Sequence, residues 1–240
     1  MLSVIIPTLN EAAAIGQTLE CVRANARGTA IEVIVSDCDS TDGTAEIARG
    51  LGAKVVSGGR CRSAALNLGA RAASGQVLLF LHADTVLPER YAELVCEAVR
   101  KPGVVGGAFD FNFGPHPLNH GLNRQWLRAV RVMNRVRFRW TGNYYGDQAI
   151  FCRRDAFVRA GGFPKLRLLE DAKFCPKMRR LGRTTTIAAN VKTSPRRFVT
   201  RGVLRQLFCD LRMIAVDSMG MNICRDESDY NQLNKTGKYR

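Results

Sequence analysis

The chain has 240 residues, 46% of them hydrophobic and 24% charged, which is enough to bury a full core and fits one α/β domain with appendages. No apolar run approaches the ~18 residues of a membrane span, and the N-terminus enters a strand-like run without a basic leader, so a cytoplasmic chain that is neither exported nor membrane-spanning is expected. The 36 Lys and Arg against 21 Asp and Glu give a net charge of +15, which favours nucleotide phosphates, nucleic acid or an acidic lipid surface without choosing among them.

Leu2 to Pro7 (LSVIIP) is a β-branched run of the buried-strand kind, followed by the loop Thr8-Leu9-Asn10-Glu11 and a helix predicted over Ala12 to Arg27. A second strand, Ile31 to Ser36, ends at Asp37, and the loop Asp37 to Thr44 carries three carboxylates before a helix over Ala45 to Leu51. Asp42 or Thr41 suits the helix cap and Asp39 suits solvent, whereas Asp37 directly ends a buried strand, where a carboxylate can accept hydrogen bonds from a base or ribose. A short strand over Lys54 to Ser57 leads into Gly58-Gly59-Arg60-Cys61-Arg62 and a helix over Ser63 to Ala73. Two glycines and two arginines before a helix can cradle a phosphate. No G-x-G-x-x-G follows the first strand and no Walker sequence is present, which removes the main support for dinucleotide and P-loop readings.

Val77 to Leu81 is apolar without alternation, as in a strand buried on both faces of a parallel sheet. It stops at His82-Ala83-Asp84, just where ligands of open α/β sheets bind, beyond the carboxyl ends of the strands. A helix over Pro88 to Arg100 and a strand over Gly103 to Phe113 follow, the latter with the pair Gly106-Gly107, which would let a ligand approach the backbone. Over Asn119 to Val136 a helix is expected whose Arg124, Arg128, Arg131 and Arg135 share one face. A solvated basic face and a contact to acceptor phosphate or a membrane surface both fit that pattern.

Tyr144 to Gln148 precedes a strand over Ala149 to Cys152, and Arg153 to Ala160 forms a helix closing at Gly161-Gly162-Phe163-Pro164. Leu168-Leu169-Glu170-Asp171 opens a helix through Leu181; an acidic pair there ordinarily partners the helix dipole. Thr184 to Val191 reads as a last strand, Thr193 to Phe198 as a basic loop, Val203 to Met219 as an amphipathic helix that packs on the domain, on a subunit or on a membrane interface, and Asp226 to Arg240 as a polar tail. Eight cysteines are scattered without a C-x-x-C pair, which reads as reduced thiols rather than disulfides or a zinc site.

Four stretches then line up in order: SVIIPTLNE at Ser3 to Glu11, SDCDSTDGT at Ser36 to Thr44, LLFLHADT at Leu78 to Thr85 and LLEDAKF at Leu168 to Phe174. Over roughly residues 1–200 the chain resembles a family 2 glycosyltransferase, which implies a GT-A (nucleotide-diphospho-sugar transferase) fold: a mostly parallel central sheet flanked by helices, here with residues 201–240 as a C-terminal helical extension. The resemblance implies an inverting hexosyltransferase-type enzyme that takes a nucleotide-diphosphate sugar, a UDP-sugar foremost, and uses Mg²⁺ or Mn²⁺. The acceptor is a hydroxyl of unknown identity, phosphate-bearing or lipid acceptors included. By the same resemblance Asp37 binds the base, Pro7, Thr8 and Glu11 line its pocket, Arg60 and Arg62 add charge near the diphosphate, Asp84 holds the metal and Asp171 is the catalytic base. His82-Ala83-Asp84 stands in the place of the family's Asp-x-Asp, so His82 departs from the pattern and a neutral imidazole takes over the ribose contact or that contact is lost.

Gly106, Gly107, Asp147, Gln148, Glu170, Arg196 and Arg197 are the candidates for acceptor or sugar contacts. GGRCRSAALNLGA, FLHADT, YGDQAIF, GGFP, LEDAKF and SPRRF together are similar to a small bacterial subfamily described as radical-SAM/selenodomain-associated or arsenosugar-biosynthesis glycosyltransferases. Two other readings compete. A nucleotidyltransferase shares the sheet and a metal-carboxylate site, but usually carries a Lys or Arg in a glycine-rich loop after the first strand, and PTLNEAAAIG has neither. A basic module for nucleic acid or a membrane surface, with an idle pocket, would use the interleaved Arg135 to Trp140, yet it has no need of Asp84 and Asp171 at strand and helix ends. No specific nucleic-acid partner is therefore expected, and a peripheral contact at the inner face of the membrane stays open.

Overall fold

The computed structural model describes residues 1–59, 61–114, 125, 127–133, 138, 142–166 and 169–194. The chain divides into two units, Met1–Asn112 with Arg137–Thr193, and Phe113–Val136 with Ser194–Arg240. In chain order the elements are β1 (Leu2–Thr8), α1 (Ala12–Asn25), β2 (Ile31–Asp37), α2 (Thr44–Gly50), β3 (Lys54–Ser57), α3 (Arg62–Ala72), β4 (Val77–Phe80), β5 (Thr85–Val86) and α4 (Tyr91–Arg100). Then come β6 (Val104–Phe113), a single 3-10 turn (Gly146–Gln148), β7 (Phe151–Arg153), α5 (Arg154–Arg159), α6 (Glu170–Arg179) and β8 (Arg183–Thr193).

The strands form one sheet in the order β3-β2-β1-β4-β7-β6-β8-β5. Its first half is parallel, β1 pairing β2 and β4, and β2 pairing β3. Val4, Ile5 and Ile6 of β1 and Leu78 and Leu79 of β4 are fully buried, as the unbroken apolar runs require of central strands. The register sets Thr8 opposite Asp37 and Asp37 opposite Ser57. The carboxyl ends of three strands thus stop level, and their loops converge on one edge.

β7 enters antiparallel between β4 and β6, a reversal that periodicity cannot announce. It places Gly106 opposite Cys152 and Gly107 opposite Phe151. Several predicted boundaries shift where a non-glycine residue takes a positive φ. Arg90 at 58° delays α4 from Pro88 to Tyr91, and Ala149 at 48° delays β7 to Phe151. β5 has no counterpart among the expected elements; Thr85 and Val86 pair with Thr193 and Lys192, which lengthens β8 beyond Thr184 to Val191.

Under the strand ends lies an aromatic cluster. Phe80 meets Phe163 edge-on at 4.8 Å, and Phe163 meets Phe174 at 4.6 Å, spacings at which aromatic pairs attract beyond simple burial. Phe80 precedes His82, and Phe174 lies one helical turn after Asp171, so the same packing seats both polar segments. Of the second unit, residues 127–133 are helical, with Leu127 and Val130 buried and Arg128 and Val132 exposed. No helix among the described residues is long and apolar enough to cross a membrane. Arg60, Arg124, Arg135, Arg196, Arg197 and the predicted helix Val203 to Met219 lie outside the described residues.

Candidate active site

The loops after β1 and β2 are zipped together by side chains. Asp37, only 2% exposed, accepts from Thr8 Oγ1 at 2.8 Å and Ser40 Oγ at 2.6 Å on Oδ1, and from Ser40 N–H at 2.8 Å on Oδ2. Each carboxylate oxygen has two acceptor sites, so Oδ2 keeps capacity for a ligand donor while the rest of the group builds the loop. Asn10, at φ 55°, accepts from Thr41 N–H and donates its own N–H to Ser40 Oγ, both at 2.9 Å. Glu11 N–H donates to Thr44 Oγ1 at 2.9 Å and Ala12 N–H to Asp42 Oδ2 at 3.0 Å. Asp42 thus takes an orphan donor at the start of α1, and its carboxyl is held below the ordinary range by hydrogen bonds, the one from Thr44 foremost. Pro7 sits in β1 opposite Ser36.

α3 begins with Arg62 and has no acid in its first turn. A cation there opposes the helix dipole, and local violations of this kind mark sites where another demand prevails. That demand is visible: Arg62 Nη2 donates to His82 Nε2 at 2.5 Å and to Asp171 Oδ2 at 3.2 Å, and its Nε lies 3.1 Å from Glu170 Oε1. One guanidinium therefore joins α3, the turn after β4 and the first turn of α6. A guanidinium has no acceptor atom, so in this contact His82 Nε2 is the acceptor.

Glu170 and Asp171 are 2% and 6% exposed, far more enclosed than partners of a helix dipole need to be. Leu169 before them sits at φ 61°, a strained conformation for a branched side chain. The Arg62 Nε to Glu170 Oε1 contact is an ion pair without hydrogen-bond alignment, and Glu170 Oε1 accepts no hydrogen bond. Burial pushes the Glu170 carboxyl up to about 7; Arg62 pulls it down and Asp171 adds to the rise. Asp171 Oδ2 is anchored from a second side by Gly146 N–H at 2.8 Å, while Oδ1 takes no hydrogen bond from the described residues. A carboxylate with one oxygen clamped and the other taking no such bond can receive a proton from an acceptor group.

Gly146, Ser63 and Asn67 are positions around this cluster that the residue pattern did not single out. A Cβ at Gly146 would stand 1.9 Å from Arg62 Nη2, 2.4 Å from His82 Nε2 and 2.9 Å from Asp171 Oδ2, so the glycine is demanded by space. Its signal was its place in the Tyr-Gly-Asp run before a short strand. From α3, Asn67 donates to Phe163 C=O at 2.9 Å and accepts from Phe163 N–H at 3.0 Å, and Ser63 Oγ donates to Leu166 C=O at 2.7 Å. The helix that carries Arg62 therefore also holds the loop leading to Glu170 and Asp171.

The other candidates are placed as follows by the backbone and by their hydrogen bonds. Gln148 uses its amide to accept from Tyr145 N–H at 3.1 Å and to donate to Phe109 C=O at 3.3 Å. At Gly106 and Gly107 the space a side chain would fill is taken by the carbonyls of Phe151 and Thr185. Asp147 is half-buried in the 3-10 turn. Asp84 is half-buried in the turn closed by Thr85 N–H to His82 C=O at 3.2 Å, and Ala83 C=O accepts from Thr18 Oγ1 at 2.5 Å.

No group of three His, Cys, Asp or Glu side chains among the described residues could enclose a metal ion. With His82 Nε2 turned to Arg62, the turn offers the Asp84 carboxylate alone. That set fits Mg²⁺ or Mn²⁺, hard cations held by one or two carboxylates together with substrate phosphates.

Comparison with known proteins bears on this geometry. Residues 3–158 match the model of Glycosyl transferase family 2. Validoxylamine A glucosyltransferase of Streptomyces hygroscopicus subsp. jinggangensis is 36% identical over 142 residues, 51% of this chain and 32% of that protein, so the chain spans about a third of the length of the curated relatives it matches. A mannosyltransferase from Pyrobaculum calidifontis, solved with GDP-Man and Mn²⁺, superposes with TM-score 0.61 at 23% identity, covering 80% of this chain and 56% of that one. Glucosyl-3-phosphoglycerate synthase from Mycobacterium tuberculosis, solved with Mn²⁺, UDP and glucosyl-3-phosphoglycerate, gives TM-score 0.53 at 20% identity, covering 87% and 79%. At these identities the structures show the fold alone, which is the GT-A fold. The matched segment carries Asp37, Arg62, His82, Asp84 and Gly146 and ends before Glu170. On that match, the chain belongs to glycosyl transferase family 2.

Proposed function

We propose that the chain transfers a sugar from a nucleotide-diphosphate sugar, a UDP-sugar foremost, to an acceptor hydroxyl with inversion at the anomeric carbon. Asp37, with Pro7, Thr8 and Glu11 beside it, receives the nucleotide, and Asp84 reaches the diphosphate together with Arg62. A divalent cation held by Asp84 and the donor's phosphates, when bound, supplies Lewis-acid charge to the leaving group. Asp171 Oδ1 takes the acceptor's proton as the acceptor oxygen bonds to the anomeric carbon and the bond from that carbon to the diphosphate breaks. General-base assistance of this kind is worth about 10²- to 10⁴-fold in rate.

The observation that carries the reading is Asp171 itself, anchored on Oδ2 by Gly146 and Arg62 while Oδ1 takes no hydrogen bond from the described residues. The transferase domain is assigned to residues 1–200. The protein works in the cytoplasm, with the exposed Arg128 facing an anionic partner such as a membrane surface. The likeness to arsenosugar-associated or radical-SAM-associated transferases rests on motifs alone and names no product.

The assignment is tested with Asp171→Asn. The amide keeps an acceptor for Gly146 N–H but cannot take a proton, so transfer should fall by at least ~10²-fold with nucleotide affinity nearly unchanged. Weakened nucleotide binding with transfer preserved would refute the role.

A further inference from the structure

We infer that His82 is a positioning residue, whose imidazole Nε2 accepts a hydrogen bond from Arg62 and so fixes that guanidinium against the base Asp171 and its neighbour Glu170. The family pattern at this place is a carboxylate. Here Arg62 already faces two carboxylates, Glu170 Oε1 at 3.1 Å and Asp171 Oδ2 at 3.2 Å. A carboxylate at this place would add negative charge beside Asp171 and Glu170 in a cleft that must also admit a diphosphate. A neutral imidazole supplies the acceptor without the charge. Arg62 is 30% exposed at its side chain, whereas its acidic partners are nearly closed off, so a long flexible side chain needs a third anchor to hold one rotamer.

The anchor's geometry is tight on every side. Gly146 leaves no room for a Cβ between Arg62 Nη2 and His82 Nε2, Ala83 C=O behind His82 is tied to Thr18 of α1 at 2.5 Å, and Thr85 N–H closes on His82 C=O at 3.2 Å. The imidazole, the guanidinium and the Asp171 carboxylate are therefore registered to three separate elements. His82 touches Arg62 rather than reacting atoms, and it acts through the base.

Two measurements test this, one of which is independent of the glycosyl-transfer reading on which the kinetic one rests. Nitrogen-15 NMR of histidine-labelled protein observes only three imidazoles, and His82→Gln assigns the signal. His82 should show a protonated Nδ1 and an unprotonated Nε2 whose resonance moves in Arg62→Gln. A protonated Nε2, or a signal indifferent to Arg62, would overturn the proposal. In kinetics, His82→Ala should lower kcat about tenfold to a hundredfold, the range for losing one charge-assisted hydrogen bond, with donor KM changed less than about threefold.

Gln carries its Oε1 as many bonds from Cα as His carries Nε2, and Asn is one bond short. His82→Gln should therefore restore most of kcat and His82→Asn should not. Equal loss in Gln and Ala, or a rise in KM alone, would make His82 a donor contact and sink the inference. If the unmodified protein turns over no sugar nucleotide, the glycosyl-transfer reading fails, and the NMR signal still decides where His82 points its acceptor.

Discussion

Replacing Glu170 by Gln removes a buried charge while keeping the side chain's shape, and the structure sets the size and the pH range of the effect. Burial lifts the Glu170 carboxyl from an ordinary 4.5 to about 7, net of Arg62's opposing pull. The folded protein therefore holds a proton that the unfolded chain has released between pH 4.5 and about 7. Within that window the native state binds more protons, so stability falls as pH rises. The contribution is fully present below 4.5 and lost above about 7. At ~1.4 kcal/mol per pH unit the interval amounts to about 3 kcal/mol.

Gln has no such titration. Near pH 4.5 the variant and the parent should unfold at similar urea concentrations, and near pH 8 the variant should be more stable by about 3 kcal/mol, or roughly 2–4 °C of melting temperature per kcal/mol. Urea unfolding at closely spaced pH values, read by tryptophan fluorescence and circular dichroism together, measures the gap directly. Parallel curves, or a gap that widens toward acid, would refute the claim that this carboxylate is held in a low-dielectric enclosure.

Two further substitutions probe the scaffold around the same carboxylates. Gly146→Ala keeps an allowed backbone but pushes a methyl to 1.9 Å from Arg62 Nη2; turnover should fall about 10²-fold through displacement of the base, with the melting temperature changed by only a few degrees, and unaltered kinetics would contradict the packing. Asn67→Ala removes both hydrogen bonds to Phe163 and should cost about 2 kcal/mol at ~1 kcal/mol each. An effect below a few tenths of a kcal/mol in urea unfolding would mean that the loop before α6 is held by other contacts.

How much of this was legible in the sequence depends on the range of the signal. Asp37 and Asp84 could be placed because a buried apolar run ending in a carboxylate is a local pattern, and the observed β1, β2 and β4 stop close to where the residues indicate. Asp42 was expected to cap α2, whose N-cap is instead Gly43; its carboxylate accepts from Thr44 N–H and reaches across to Ala12 N–H at the start of α1. The union of Arg62 with His82, Glu170 and Asp171 was not, because it joins residues 20 and 109 positions apart through three elements whose approach only the packed aromatic core decides. Gly106 and Gly107 read equally well as room for a ligand and as room for a neighbouring strand, and the sheet fills that room with carbonyls from β7 and β8. The positive φ values at Arg90, Ala149 and Leu169 carry no residue signature, since glycine or asparagine is the usual occupant.

The most direct test of the central claim is a thermal-shift series of the purified chain against UDP-, GDP-, ADP- and dTDP-sugars, with and without Mn²⁺ or Mg²⁺, in the parent and in Asp84→Ala. One nucleotide class should stabilise the parent, by about 2.7 kcal/mol at a hundred times its dissociation constant, with a metal-dependent part that Asp84→Ala abolishes. No stabilisation by any sugar nucleotide under either condition would contradict it.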